Sequence, residues 1–87
     1  MSFTNRKTPW QAGDLLVLKE ENEFGAYSPH HHRPIMGVYG RYVAGTPVVF
    51  FEYLGGMHLG KVAVIIDSKF AWAYESELRL FQSGAGL

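Results

Sequence analysis

The sequence predicts an all-β fold, a small barrel of five to six short strands, and three observations support this fold class. Branched apolar residues alternate with other residues at the start of the segment 61–80, at Val62, Val64 and Ile66. Aromatic residues alternate in the same way after a short interruption, at Phe70, Trp72 and Tyr74. Other short apolar runs, bounded by glycine and proline, recur along the 87-residue chain. This length allows one domain, which we expect at residues 13–82, between an N-terminal arm (1–12) and a flexible tail (83–87).

The segment 61–80 is the most informative part of the chain. The turn-forming residues Asp67-Ser68-Lys69 predict a hairpin, and Glu75-Ser76-Glu77 predicts one turn of 3₁₀ helix before a closing strand that contains Leu78 and Leu80. This interpretation places Trp72 and Leu80 inside the barrel.

A helix over residues 69–82, packed on an antiparallel sheet in an α+β fold, is the alternative. Phe70, Tyr74, Leu78 and Phe81 recur at spacings of four, four and three, which is a helical period. A helix would leave Trp72 and Leu80 off its apolar stripe, so we favour the strands.

The earlier part of the chain predicts a first strand and then a long irregular loop. Leu15–Lys19 is apolar enough for a strand buried on both faces. The polar stretch Glu20–Pro34 contains glycine, serine and two prolines, which argue against regular structure. Loops of this length are uncommon in small domains and are often functional.

Two more strands follow this loop. Gly37 and Gly40 lie inside the strand Ile35–Val43 and predict a β-bulge or a strong bend. The next strand, Val48–Leu54, is apolar except for Glu52, which we interpret as the mark of a protected sheet edge. A glycine-rich connection over residues 55–60 leads into the segment 61–80.

This order of elements resembles the SH3-like small β-barrel. Residues 72–81 (WAYESELRLF) are similar to the strand, 3₁₀ turn and strand that close such barrels, and residues 13–17 (GDLLV) are similar to their first strand. The loop Glu20–Pro34 takes the place of the RT loop. Because the chain lacks an ALYDY-type start and a Pro-x-x-Tyr ending, the resemblance does not imply recognition of proline-rich peptides. It implies a domain that binds rather than catalyses, as in many small bacterial and phage proteins.

Composition argues against several function classes. Eight basic and eight acidic side chains give a formal net charge of zero, without the basic excess that is typical of nucleic-acid-binding proteins. The chain has no cysteine, which excludes disulfides, thiolate metal sites and a cysteine nucleophile. No apolar run approaches the about 20 residues that cross a bilayer. We therefore expect a cytoplasmic protein that has no contact with a membrane.

The polar residues do not predict an active site or a metal site. His30, His31 and His32 are adjacent, so they cannot easily face one ion together, even with His58 as a fourth ligand. No serine lies in a G-x-S-x-G pattern, and the glycine pair Gly55-Gly56 lacks the lysine of a phosphate-binding loop. We expect no enzyme activity, no metal and no cofactor.

Aromatic residues predict a binding surface, because the chain has more of them than so small a barrel can hide. Exposed tyrosine and tryptophan side chains are frequent anchors in interfaces. We predict a partner-binding surface on the long loop and the adjoining strand faces, formed by Phe24, Tyr27, His30, His31, His32, Arg33, Tyr39, Arg41 and Tyr53. The predicted function is a non-enzymatic protein-binding module, such as a regulator or inhibitor encoded by a phage or bacterium.

Two other functions remain open at this point. Nucleic acid could bind through basic residues interleaved with aromatic ones, at Arg6, Lys7, Arg33, Arg41 and Lys61. Alternatively, the apolar strand Val48–Leu54 could pair with a second copy and form a homodimer.

Overall fold

The computed structural model describes residues 10–81, which form seven strands and two single-turn 3₁₀ helices. The strands are β1 (Leu15–Leu18), β2 (Asn22–Ser28), β3 (Arg33–Tyr42), β4 (Pro47–Tyr53), β5 (Lys61–Ile66), β6 (Lys69–Tyr74) and β7 (Leu78–Leu80). The 3₁₀ helices are η1 (Gly56–His58) and η2 (Glu75–Glu77). The all-β prediction is confirmed, with more strands than expected. The alternative α-helix over residues 69–82 is wrong, because its described part forms β6, η2 and β7.

All seven strands belong to one antiparallel sheet in the order β3-β2-β6-β5-β4-β1-β7. The consecutive strands β4, β5 and β6 form a meander at its centre. The β2–β3 hairpin extends the sheet beyond β6, and β1 and β7 extend it beyond β4. Most of the expected arm and all of the expected tail (83–87) lie outside the described residues.

The β5–β6 hairpin has an unbroken register from the pair Lys61↔Tyr74 to the pair Ile66↔Lys69. Its two-residue turn is Asp67-Ser68, and both residues have positive φ, 53° and 65°. Turns of this kind match the right-handed twist of paired strands. The predicted hairpin, 3₁₀ turn and closing strand are therefore confirmed.

The faces of β6 correct one prediction. Ala71 and Ala73 point into the main core, whereas Trp72 is half-buried on the opposite face, which we call the outer face. Leu80 is exposed. Small alanines fit the inner side because larger residues from the neighbouring strands already fill the core, and the aromatic residues are left outside.

The main core lies within the curved sheet, and its fully buried side chains come from every strand except β3, whose half-buried Tyr39 and Tyr42 pack against it. Its buried members are Leu16, Leu18, Phe24, Val48, Phe50, Val62, Val64, Ile66, Ala71, Ala73 and Leu78. Trp10 packs against this core through Phe50 and Tyr53, with ring centroids 5.8 and 6.2 Å away. A smaller cluster on the outer face contains Tyr27, Leu54 and Ala63, partly covered by Phe51, Phe70 and Trp72.

The predicted long loop Glu20–Pro34 is wrong, because most of it forms β2, the turn 29–32 and the start of β3. β2 lies between β3 and β6, so its central residues are buried on both faces. Phe24 is fully buried and Tyr27 is only 3% exposed. Long-range pairing therefore overrides the polar composition of this stretch.

β3 is an edge strand that carries the predicted bulges. The register with β2 shifts between Glu23 and Gly25 and again between Gly25 and Tyr27, and each shift adds residues on the β3 side. Gly37 and Gly40 have φ values of 117° and 107°, which only glycine adopts readily. Bulges of this kind make a sheet edge a poor template for regular pairing.

β4 is an interior strand, which corrects two predictions. It pairs with β1 on one side and with β5 on the other. Glu52 therefore does not mark a sheet edge, and the backbone of β4 is not free to pair with a second copy. The register shift between Phe50 and Glu52 is a bulge that helps to set the direction of the Glu52 side chain.

Candidate docking surface

The predicted site residues do not form one surface. Phe24 and Tyr27 are buried, so the prediction that they are exposed anchors is wrong. Tyr53 is half-buried and accepts a hydrogen bond from the backbone N–H of Trp10 at 2.9 Å. Tyr39 is also half-buried and lies beneath the ammonium group of Lys69, 5.2 Å from the ring centroid. These aromatic side chains mainly stabilise the fold.

The three adjacent histidines are exposed at the turn between β2 and β3, and they have different surroundings. His31 Nδ1 lies 3.0 Å from Ser28 Oγ, whereas His32 Nδ1 lies 2.7 Å from Glu52 Oε2. Arg33 is exposed beside them. Among residues 10–81, no group of three or more histidine, aspartate or glutamate side chains has the arrangement of a metal site.

Glu52 joins the β2–β3 turn to the centre of the sheet. Its carboxylate accepts a hydrogen bond from the hydroxyl of Tyr27 and contacts His32. Burial raises the pKa of Tyr27 well above its ordinary value, and the hydrogen bond and the negative charge of Glu52 raise it further. The side chain of Glu52 is 29% exposed, so this contact is screened only in part by solvent.

Arg41 lies at the other end of β3 and is exposed. Its guanidinium group is 3.2 Å from Glu21 and 3.7 Å from Glu23. Exposed ion pairs of this kind add little stability. Arg41 and Arg33 lie near opposite ends of a ten-residue strand, so the structure does not bring these two basic residues together, and Arg6 and Lys7 lie outside the described residues.

Trp72 is positioned on the outer face by the absence of a side chain at Gly25. The two residues are register partners on β2 and β6, and a Cβ atom at Gly25 would lie 2.2 Å from Trp72 Nε1. The ammonium group of Lys61 is 4.5 Å from the Trp72 ring and 5.9 Å from the Tyr74 ring. Tyr74 packs edge-on against Trp72 and is 46% exposed. Together they form an aromatic wall at the end of β6.

Three surface depressions meet at the segment 74–78, which contains η2. The first is a broad cleft of about 530 Å³ lined by Trp10, Gly60, Tyr74, Glu75, Ser76 and Leu78. The second, of about 350 Å³, is lined by Lys19, Glu20, Glu21, Asn22, Ser76 and Glu77. The third, of about 190 Å³, is lined by Asn22, Glu23, Gly25, Val38, Trp72, Ala73, Tyr74 and Glu77, and we call it the Val38 groove. We call the area covered by all three the η2 surface.

Sequence reasoning missed most of the η2 surface. The sequence predicts Trp72 inside the barrel, gives Tyr74 only as a strand residue, and explains Glu75 and Glu77 by the turn. The available signal was the alternation of large aromatic residues with Ala71 and Ala73 along β6, which is compatible with either face pointing inward. Pairing with Gly25, far away in the sequence, decides which face is buried.

Comparison with known proteins gives no family for this chain. No family model, curated protein or solved structure matches it. Within residues 10–81, no helix is long and apolar enough to cross a membrane. A functional assignment therefore depends on the geometry of the surface.

Proposed function

We propose that this chain is a non-enzymatic protein-binding domain that docks through the η2 surface. The observation that carries the proposal is the convergence of three depressions on one short segment, with aromatic side chains in the walls of two of them. Tyrosine and tryptophan are enriched at the centres of protein interfaces, where each buries a large rigid area. Apolar side chains continue this area along the sheet edge, where Val38 is 63% and Met36 is 97% exposed.

The chemistry of the polar side chains supports a binding role rather than catalysis. Ser28 and His31 are in contact, but Ser28 Oγ also accepts a hydrogen bond from the backbone N–H of His31 at 3.3 Å. This pattern is that of a serine that stabilises a turn. The Oε2 atom of Glu52 contacts both Tyr27 and His32 near the same turn. The contacts of Ser28 and Glu52 are therefore explained by the stability of the turn, and they do not require a catalytic nucleophile and base.

We also propose that the fold is an SH3-like barrel. The support is the β4–β5–β6 meander, the pairing of β1 with both β4 and β7, and the position of η2 directly before β7. The β2–β3 hairpin takes the place of the long loop that the resemblance implies. A role as a phage or bacterial regulator or inhibitor stays a prediction, which rests on the small size of the chain and on its resemblance to small barrels.

Two valines provide a matched test of the docking surface. Val38 lines the Val38 groove, whereas Val43 follows β3 outside the three depressions and has a similar exposure, 63% against 68%. We expect Val38→Lys to abolish capture of a protein partner from the lysate of the producing cells, because it places a charge in the apolar contact. Val43→Lys is expected to capture as much partner as the wild type. Quantitative mass spectrometry of nuclease-treated samples measures both.

Other results of this experiment would contradict the proposal. Equal loss of the partner in both variants would show that a general change of charge, rather than the groove, controls binding. Capture that disappears after nuclease treatment would favour nucleic acid as the ligand. In that case, a steep decrease of affinity with salt would be expected.

A further inference from the structure

We infer that the partner presents to the η2 surface a peptide segment in which an apolar side chain lies beside a lysine or arginine. This inference rests on the proposed docking function and adds the chemical class of the ligand. The apolar side chain would enter the Val38 groove, and the cation would meet the carboxylates at its rim. The two parts are supported by separate observations.

The size and lining of the Val38 groove fit a single side chain. Its volume of about 190 Å³ lies below the ~300–1,000 Å³ of typical small-molecule sites. Val38 and the rings of Trp72 and Tyr74 supply apolar surface, and Gly25 forms a floor without a side chain. The groove is therefore suited to one inserted aliphatic or aromatic residue of a longer partner.

The charge around the groove is asymmetric although the whole chain is neutral. Five of the eight acidic side chains line the three depressions, and they are Glu20, Glu21, Glu23, Glu75 and Glu77. Three basic side chains line or border the same area, and they are Lys19, Arg41 and Lys61. The η2 surface thus has an excess of two negative charges, which favours the approach of a basic segment.

Glu77 is the carboxylate that is held in place beside the groove. Its Oε1 atom accepts a hydrogen bond from the backbone N–H of Tyr74 at 3.2 Å, and its Oε2 atom accepts one from the side chain of Asn22. Each carboxylate oxygen has two lone pairs, so both oxygens keep capacity for a further donor. Because the side chain is already ordered, a cation that binds it loses less entropy in forming the contact.

Glu23 provides a second carboxylate on the same rim, and its one ion pair is long. It is 48% exposed and lies 3.7 Å from Arg41, which is closer to Glu21. A partner cation could therefore contact Glu23 without breaking the shorter pair. Carboxylates from β2 and η2 consequently flank the entrance to the apolar groove from two sides.

The test begins with the selection of short random peptides, displayed on phage, against the immobilised full chain. We expect the selected sequences to share an aliphatic or aromatic residue next to lysine or arginine. A synthetic peptide of the consensus sequence is then compared with the same peptide carrying glutamine at the basic position. Fluorescence anisotropy should show weaker binding of the neutral peptide by about two- to fivefold.

Matched protein variants locate the effect. Glu23→Gln should weaken the consensus peptide by about two- to fivefold, whereas Asp67→Asn, the same charge change at the opposite end of β6, should leave affinity unchanged. Selected peptides without basic residues that still lose binding to Val38→Lys would overturn this inference and keep the docking function. Peptides that bind Val38→Lys as well as the wild type would contradict the docking function itself. Equal losses in Glu23→Gln and Asp67→Asn would also overturn the inference, since only the net charge would then matter.

Discussion

The β5–β6 and β2–β3 hairpins of this protein are built in different ways. β5–β6 has a two-residue turn and an unbroken register at the centre of the sheet. β2–β3 has a four-residue turn at 29–32, two register shifts and an edge strand that is mostly exposed. The first hairpin is specified by its own residues, whereas the second is held by contacts with distant parts of the chain.

These distant contacts explain why the second hairpin is available for function. Phe24 anchors β2 in the main core, and Glu52 fixes its far end through Tyr27 and His32. β3 itself contributes only the half-buried Tyr39 and Tyr42 to the main core. Its apolar side chains, Ile35, Met36 and Val38, are left exposed on a well-supported edge.

The largest expected effect comes from removing the core anchor of β2. Phe24 is fully buried and packs edge-on against Tyr42 with ring centroids 5.6 Å apart. We expect Phe24→Ala to lower the free energy of unfolding by about 3–5 kcal/mol, out of a total of about 4–13 kcal/mol for a chain of this length. Urea denaturation followed by circular dichroism measures the change. Met36→Ala, on the exposed edge, is the control and should lower the free energy of unfolding by less than about 0.5 kcal/mol. Similar losses in both variants would show that β2 is not held through Phe24.

A smaller loss of stability is expected when the second attachment of β2, the contact between Tyr27 and Glu52, is removed. Tyr27→Phe removes the hydroxyl that donates to Glu52, and we expect a loss of about 1.5 kcal/mol, since hydrogen bonds to charged groups are stronger than neutral ones. Tyr39→Phe removes a hydroxyl outside this contact and is expected to cost less. Equal losses in the two variants would contradict a special role for the Tyr27–Glu52 contact.

The same two variants, Tyr27→Phe and Tyr39→Phe, test how the free energy of unfolding depends on pH. Because the pKa of Tyr27 is raised in the folded protein, its contribution is fully present below the ordinary tyrosine pKa of about 10 and is lost as pH rises further. Burial also raises the pKa of Tyr53, against the opposing effect of the Trp10 backbone hydrogen bond. The free energy of unfolding should therefore fall above about pH 10, and less steeply in Tyr27→Phe than in Tyr39→Phe.

The smallest expected effect is an increase in the free energy of unfolding, from a change in the turn of the β5–β6 hairpin. Ser68 has a φ of 65°, which costs energy for a residue with a Cβ atom and none for glycine. Ser68→Gly should raise the free energy of unfolding by about 0.5–1 kcal/mol, since Asp-Gly is a favoured sequence in such turns. Thermal unfolding measures the gain. Ser76→Gly in η2, where φ is negative, is expected to destabilise instead, and stabilisation by both changes would argue against relief of strain.

The sequence predictions are accurate for the β5–β6 hairpin and inaccurate for the β2–β3 hairpin. Alternation at Val62, Val64 and Ile66 and the turn residues at 67–69 are local signals, so the β5–β6 hairpin and η2 could be predicted. Gly37 and Gly40 predicted the bulges of β3 for the same reason. β2 could not be predicted, because its burial results from pairing with β6 more than forty residues later. The η2 surface combines β2, β3, β6 and η2, so its composition depends on that same pairing.

The contact between Gly25 and Trp72 makes the side chains allowed at two distant positions depend on each other. Any side chain at residue 25 would collide with the indole ring, and the ring keeps its position only while residue 25 is glycine. A larger residue at 25 becomes acceptable only together with a smaller one at 72, and the smaller residue alone would leave the groove without its wall. We therefore expect that neither residue can be replaced alone without altering the surface that we propose for docking.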